Sequence, residues 1–154
     1  MKQFILSLLL IVTTAVAWAE YPRPSQAMNG KYGYYSTTGN VEIRPRFDNA
    51  LDFREGFAPV EIRGKWGFIN LQGRMIAKCQ YQEVRNFNYG YAVVCKDNKW
   101  GVIDTDGKEV VPCVFDNIGE LSDVISVVKK YTPVVGDKAL ELQQQQDSIA
   151  AAQK

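Results

Sequence analysis

A repeat with a period of 34 residues constrains this chain more than any other feature of its sequence. A lysine, an aromatic residue, a glycine and an apolar residue stand together at 31–34, 65–68 and 99–102. The three copies follow one another without a gap, which chance does not produce. Segments repeated at a fixed period indicate structural units that bury apolar surface against their neighbours. The same period relates the glycines Gly39, Gly73 and Gly107 and the aromatic residues Phe47, Tyr81 and Phe115.

Each unit is predicted to contain a β-hairpin. In the third copy, the apolar run 100–103 precedes a turn at 104–107 that starts with an aspartate and ends with a glycine. This pattern is typical of a type I turn whose glycine takes the left-handed conformation that closes a three-residue hairpin loop. The return strand is predicted at 109–111, and Pro112 ends it or lies at an edge. The equivalent turns lie one and two periods earlier in the chain.

The register of this hairpin follows from the turn if the pairing is regular. Val102 then lies opposite Val110, and Trp100 lies opposite Pro112 on the same face. Cross-strand pairs of this kind contribute roughly 0.2–1 kcal/mol each.

A third strand completes each unit in this prediction. Its clearest example is 90–94, after which a short turn leads into the next Lys-Trp-Gly motif. The aligned segments 56–60 and 124–128 are expected to be strands as well. The predicted fold class is therefore all-β, an array of three antiparallel β-hairpin or meander repeats.

The two ends of the chain differ in composition from the repeats. Lys2, an apolar run and the small-x-small sequence Ala17-Trp18-Ala19 have the layout of a secretory signal peptide. The C-terminal segment is polar and rich in helix-forming glutamine and alanine, so a solvated helix and a disordered tail both remain open. The predicted divisions are a signal peptide at 1–19, a linker at 20–29, repeats at 30–63, 64–97 and 98–130, and a tail at 131–154.

Charge and export exclude some classes of partner. Removal of residues 1–19 would leave 17 basic and 17 acidic residues, interleaved along the chain. Nucleic-acid binding requires clustered Lys and Arg, so no nucleic-acid partner is expected. The apolar run near the N-terminus is short for the ~20 residues of a membrane span. We expect a periplasmic or secreted protein without a membrane span after cleavage.

The sequence offers no catalytic or metal-binding constellation. It contains no histidine, which removes Ser-His-Asp and Cys-His arrangements and the commonest zinc ligand. The turn at 104–107 resembles half of a calcium loop, but Val102 and Cys113 stand where that loop needs acids. We therefore expect no cofactor, no metal and no enzymatic activity.

One enzymatic alternative rests on carboxylates in the loops before the third strands. A pair of them could act as acid and base on a glycan, which would make the protein a small envelope hydrolase. Solvation of the loops is the simpler interpretation. The residues concerned are Asp48, Asp52, Glu55, Asp116, Glu120 and Asp123.

Aromatic residues divide into repeated and unrepeated ones. A residue present in every unit is expected in the core, although a ladder that stacks on sugars or peptides is an alternative. Tyr89 differs, because the aligned positions hold Glu55 and Asp123, and it is predicted to be exposed as a candidate ligand contact. The expected core residues are Tyr32, Trp66, Trp100, Phe47, Tyr81 and Phe115.

Cys79, Cys95 and Cys113 are the three cysteines of the chain. Export makes a disulfide chemically allowed, and a bridge between Cys95 and Cys113 is one candidate. Burial of all three as small apolar side chains is the default expectation.

At the level of whole motifs the chain resembles bacterial WG-containing (KWG) repeats. The resemblance rests on Lys-Trp-Gly-Phe-Ile-Asn-Leu-Gln-Gly at 65–73, on Lys-Trp-Gly-Val-Ile-Asp-Thr-Asp-Gly at 99–107, and on the segments 53–60 and 111–116. It covers about residues 30–130. It implies a β-repeat array with a binding or structural role and carries over no catalytic residues. Tyr32 departs from the motif, and the third copy lacks the glycine and alanine of its last strand, as expected of end units.

The resulting functional expectation is an exported, non-enzymatic module of the cell envelope that binds a protein or a polysaccharide or has a structural role. An inhibitor that inserts one loop into a partner's cleft is a third class. Neither the sequence pattern nor the resemblance identifies the partner.

Overall fold

A computed structural model describes residues 20–131 and 151–152. Within residues 20–131, eleven antiparallel strands form three sheets, followed by a short 3₁₀ helix at Ile118–Leu121 and the α-helix α1 at Val124–Tyr131. The first sheet has the order β1-β2-β3, the second β4-β5-β6-β7 and the third β11-β10-β9-β8. The strands are β1 (Arg23–Gln26), β2 (Tyr32–Tyr35), β3 (Val41–Phe47), β4 (Asn49–Ala50), β5 (Phe57–Ile62), β6 (Lys65–Asn70), β7 (Met75–Tyr81), β8 (Glu83–Val84), β9 (Tyr91–Lys96), β10 (Lys99–Asp104) and β11 (Glu109–Phe115).

The second and third sheets each combine strands from two consecutive repeats. β5 ends one repeat and pairs with β6, which starts the next. The two are joined by Arg63 and Gly64, whose φ angles of 53° and 76° are those of the type I′ turn preferred in two-residue hairpins. Asp97 and Asn98 join β9 to β10 in the same way. Consecutive repeats are therefore interlocked by a shared sheet.

The segment directly before the first motif strand does not match the repeat, and it requires a correction at the N-terminus. Residues 20–29 are predicted above as a linker, but Arg23–Gln26 forms β1 and pairs with β2. In the other sheets the motif strand receives this partner from the repeat before it. Because the first motif strand would otherwise leave its backbone groups unpaired on one side, the preceding segment takes that place.

The sheets stack face to face, so the central strands are buried on both sides. In β5, Ala58 and Val60 face the first sheet, while Pro59 points to the third. β9 alternates likewise, with Val94 toward the second sheet and Val93 toward α1. Burial on both faces accounts for continuous apolar runs without polar alternation in these strands.

Three apolar clusters fill the spaces between these layers. The first lies between the first and second sheets, the second between the second and third sheets, and the last between the third sheet and α1. Their fully buried members include Tyr34 and Phe47 in the first, Phe68 and Tyr81 in the second, and Val102 in the last.

The hairpin register differs from the regular one predicted. Val102 lies opposite Val111 rather than Val110, and Trp100 lies opposite Phe115 rather than Pro112. Shifts at the same places occur in the first and second sheets. The prediction is wrong because it takes the hairpin as a regular ladder, whereas β-bulges add residues to the return strand and bend it.

The end of the third repeat is helical, so the predicted strand at 124–128 is wrong. Val124, Val127, Val128 and Tyr131 are spaced i, i+3, i+4 and i+7 and lie on the face that packs on the third sheet. A strand here would have no following Lys-Trp-Gly hairpin to pair with. A helix satisfies its backbone hydrogen bonds internally and still covers the apolar face of the sheet.

Asp123 caps α1. Its Oδ1 accepts a hydrogen bond from the Ser126 backbone N–H at 3.2 Å, and its Oδ2 accepts one from Ser126 Oγ at 2.6 Å. Aspartate is among the preferred N-cap residues for this reason.

The predicted signal peptide at 1–19 and nearly all of the predicted tail at 131–154 lie outside the described residues. In the part of the chain that the structure covers, no helix has the length and apolar character needed to cross a membrane.

Candidate functional site

The predicted core residues occupy two kinds of position. Phe47 and Tyr81 are completely enclosed, with 0% and 1% of their surface exposed. The other four are half-buried and lie at the margins of the clusters: Tyr32, Trp66, Trp100 and Phe115. The motif aromatics therefore pack along their own sheets and do not form a free stacking ladder.

Residues two positions after the motif aromatic were missed as core residues. Tyr34 and Phe68 have no exposed surface, and the Tyr34 hydroxyl donates to the Leu51 carbonyl at 2.8 Å. The sequence could have predicted their burial, because residues i and i+2 of a strand point to the same face and these residues follow the motif aromatic by two positions.

The three turn glycines have φ angles of 85°, 75° and 76° at Gly39, Gly73 and Gly107. The N–H of each glycine donates to the backbone carbonyl of the residue that begins its turn, at 2.9–3.0 Å. Two of these turns also pack on the preceding sheet, Gly73 against Ile43 and Gly107 against Ile76. The turns therefore close the hairpins and contribute to stacking.

All three cysteines are free thiols. Cys113 Sγ lies over Gly101, which pairs with Val94, whereas Cys95 pairs with Trp100. Because neighbouring residues of a strand point to opposite faces, the candidate partners Cys95 and Cys113 point away from each other and no bridge forms. Burial raises the pKa of Cys113 to about 11, so this thiol is a poor nucleophile at neutral pH.

Several of the loop carboxylates have structural partners. Asp48 pairs with Lys31 and also accepts the Arg63 N–H at 2.7 Å, and Asp116 pairs with Lys99. The Lys31 hydrogen bond is the main cause that lowers the pKa of Asp48. Glu55 and Asp123 likewise accept backbone hydrogen bonds. Asp52 lines a small cleft beside Tyr21, and Glu120 lies in the 3₁₀ helix.

A cleft lies where the second repeat meets α1. Its volume is about 350 Å³. The second repeat contributes Arg85, Asn86, Asn88 and Tyr89, and the third contributes the segment 122–125. The cleft therefore brings Tyr89, the predicted ligand contact, together with three polar side chains from one loop.

A break in the repeat produces this cleft. One interface earlier, the rings of Phe57 and Phe87 lie 4.7 Å apart, and Glu55 accepts the Gly90 N–H at 3.2 Å. The position aligned with Gly90 in the third copy is Val124, which begins α1. The third copy therefore has no matching turn to lie against Tyr89, and an open space remains.

Tyr89 is held in an unusual backbone conformation. It occupies the first position of a type I′ turn with Gly90 and has a φ of 50°, while 76% of its surface is exposed. Asn88 and Tyr91 close the turn with reciprocal backbone hydrogen bonds of 2.9 and 3.1 Å. A bulky residue in the left-handed region costs on the order of 1–3 kcal/mol, and such strain is found at binding and active sites.

Asn86 adds a second unusual feature to the same cleft. Its Oδ1 is buried and has no hydrogen-bond partner in the structure. An unsatisfied buried acceptor costs about 1–3 kcal/mol, so it calls for an explanation. Sequence reasoning missed Asn86 together with Arg85 and Asn88. The sequence feature that could have indicated them is a position that differs between the repeats: Arg85 aligns with Leu51 and Gly119.

The chemistry of the lining suits binding. The carboxylate in it, Asp123, has a pKa lowered first by its hydrogen bond from Ser126 Oγ, which makes it a weak base. Across the described residues, no cluster of three or more His, Cys, Asp or Glu is placed to hold a metal ion. The cleft offers an aromatic face, amides and a guanidinium.

The comparisons with known proteins agree with the architecture. The model of the WG containing repeat matches three consecutive segments, at 32–66, 66–100 and 100–130. No curated protein and no solved structure matches the chain. The three matches cover more than half of the 154 residues. The chain therefore belongs to the WG containing repeat family.

Proposed function

We propose that this protein is an exported, non-enzymatic binding module of the cell envelope, acting in the periplasm or outside the cell through the cleft at Tyr89. The observation that carries the proposal is that Tyr89 lines the cleft with an exposed side chain while its backbone is held in the left-handed region. The layout of residues 1–19 supports export.

The scaffold behind the cleft supports a binding role. The turn carrying Tyr89 is anchored by Phe87, which is 2% exposed and packs on Phe57 and Phe68 with ring distances of 4.7 and 5.0 Å. Loops held by a rigid scaffold are where binding residues concentrate. Fixing the backbone of this turn in advance reduces the entropy lost when a ligand binds to it.

Capture from an envelope extract tests this function. Immobilised mature chain, residues 20–154, is expected to retain a partner that the Tyr89→Ala variant does not retain. Met28→Ala is the control, since Met28 is a fully exposed apolar side chain outside the cleft lining, and it should capture as the parent does. Equal capture by Tyr89→Ala and the parent would exclude the cleft as the binding site.

Export has its own test. The full chain expressed in a Gram-negative host is expected in the periplasmic fraction or the medium with Glu20 as its first residue, as read by N-terminal sequencing. Retention in the cytoplasm with residues 1–19 intact would contradict the proposal.

A further inference from the structure

We infer that the ligand of the cleft is a saccharide, whose ring stacks on Tyr89 and whose hydroxyl groups bond to Asn86, Asn88 and Arg85. This inference rests on the proposed function and specifies its ligand class.

The aromatic face matches one side of a sugar ring. The C–H groups of a pyranose form a flat apolar face, while its hydroxyls project around the rim. Tyr89 stands on a two-residue turn with 76% of its residue surface exposed, which leaves space for a flat partner on its ring. An amphipathic aromatic of this kind supplies contact area at low entropic cost.

The polar groups match the rim of such a ring. A hydroxyl both donates and accepts hydrogen bonds, so it is best met by a mixture of donors and acceptors. The amides of Asn86 and Asn88 supply both, and the Arg85 guanidinium supplies donors. Asp123, the carboxylate of the lining, already accepts hydrogen bonds from Ser126 on both oxygens, which makes it a weaker partner for a basic ligand.

The buried oxygen of Asn86 adds a specific attraction. Contact with Oδ1 requires a small movement of the side chains that cover it, because this oxygen is buried. A ligand hydroxyl can then donate to it and supply the hydrogen bond that Oδ1 lacks in the unliganded protein.

The backbone around the cleft argues against an extended peptide. Peptides commonly bind by adding a strand to an unpaired sheet edge. The β9 residues that line the cleft are Tyr91 and Val93; β9 pairs with β10 on one side, and on the other the Val93 carbonyl accepts the Arg85 N–H. The turn between Asn88 and Tyr91 bonds to itself. The volume of about 350 Å³ is near the lower limit of ligand pockets, which suits a short saccharide.

Titration followed by ¹H–¹⁵N NMR tests the inference. The probes are the tetrasaccharides of β-1,4-linked glucose, α-1,4-linked glucose and β-1,4-linked N-acetylglucosamine, added to residues 20–154. At least one is expected to shift the amide signals of 88–91 and 122–125 with a Kd below about 1 mM. Tyr89→Ala and Asn86→Ala should each weaken binding at least about tenfold, Tyr89→Phe should retain it, and Met28→Ala should be neutral.

A second measurement separates this inference from the proposed function. The envelope extract is treated either with periodate, which oxidises sugar diols, or with a protease before capture. Loss of Tyr89-dependent capture after periodate supports a saccharide. Capture that survives periodate and disappears with protease, with none of the three tetrasaccharides shifting the amide signals, overturns the saccharide while leaving the binding function; the titration is needed because β-1,4-linked N-acetylglucosamine has almost no diol for periodate to cleave. If no capture and no titration depends on Tyr89, both fail.

Discussion

Gly33, Gly67 and Gly101 each lie under a return strand that passes too close for a side chain. A Cβ on Gly101 would stand 2.6 Å from the Val111 carbonyl oxygen, and one on Gly33 would stand 2.6 Å from that of Ile43. The atoms in the way belong to the backbone, so they cannot swing aside. The glycine of the motif is thus required by the bulge opposite it, which brings the two strands together.

Gly67→Ala is therefore expected to lower the free energy of unfolding by about 2–3 kcal/mol, as overpacking in a core does. Its Cβ would meet the Ala77 carbonyl oxygen and the Cys79 nitrogen. Urea denaturation provides the measurement. Gly64→Asn is the control, with little loss, because Gly64 has open space around it and Asn98 stands at the equivalent turn position.

Tyr89→Asn is expected to raise the free energy of unfolding by about 1 kcal/mol while abolishing ligand capture. Asparagine adopts a φ of 50° at a lower energetic cost than tyrosine, so the substitution releases strain. A gain in stability together with a loss of function is the trade-off found at functional residues. Thermal unfolding and the capture assay are measured side by side. Asp97→Asn, also at a left-handed position, should leave both unchanged, and a less stable Tyr89→Asn protein would contradict the strain argument.

At the scale of single elements, α1 shows how a repeat ends. The third copy keeps the length of the others but replaces their Gly-x-Ala with Val124-Ile125-Ser126, and the segment becomes a helix. Its apolar residues cover the face of the third sheet that a further repeat would otherwise bury. The same substitution opens the cleft at Tyr89, so the termination of the array and the candidate site have one cause.

The cap of α1 is expected to make the helix sensitive to acid. Hydrogen bonds from Ser126 lower the pKa of Asp123 below that of an unfolded aspartate. The cap therefore contributes stability above about pH 4, the pKa of the unfolded carboxyl, and this contribution is lost as pH falls through the lower, folded pKa. Hydrogen exchange of the α1 amides, compared between pH 6 and pH 3, should show faster opening at the lower pH.

Variants at this cap distinguish it from general acid denaturation. Asp123→Asn keeps a capping side chain that does not titrate, so its α1 should lose less protection than the parent does on acidification. Asp123→Ala should open α1 faster at both pH values. An unchanged pH response in Asp123→Asn would show that another group is responsible.

At the scale of the whole molecule, both ends of the stack are closed. In each sheet one residue pairs with the motif glycine. This residue is the fully buried Val60 in the second sheet and the fully buried Val94 in the third. In the first sheet it is Ser25, which is exposed. Arg23 is similarly exposed where the second sheet buries Ala58. A polar outer face at one end and α1 at the other cover the stack of three sheets that residues 20–131 form.

Because the internal interfaces repeat, the array is expected to accept another unit. A second copy of residues 66–99 inserted after Lys99 restores the sequence at both junctions. The longer chain should fold with cooperative unfolding and at least the parent's stability, as read by circular dichroism and urea denaturation. An insertion cut to 30 residues should fail, because the inserted unit then lacks part of the strands and turns that its neighbouring sheets pack against. Unfolding of the full-length insertion would contradict the stacking of equivalent sheets.

The sequence alone was sufficient for the 34-residue period, the all-β class, the hairpin turns and the family, because these depend on local residue patterns. Only the tertiary structure showed the bulged register of Trp100, the strand at Arg23–Gln26 and the helix at Val124–Tyr131. Each of these features depends on the neighbouring strands: on whether a strand is present to pair with, or on how closely another strand approaches. The cleft at Tyr89 belongs to the same group, since it arises where one repeat lacks the partner surface that its predecessor has.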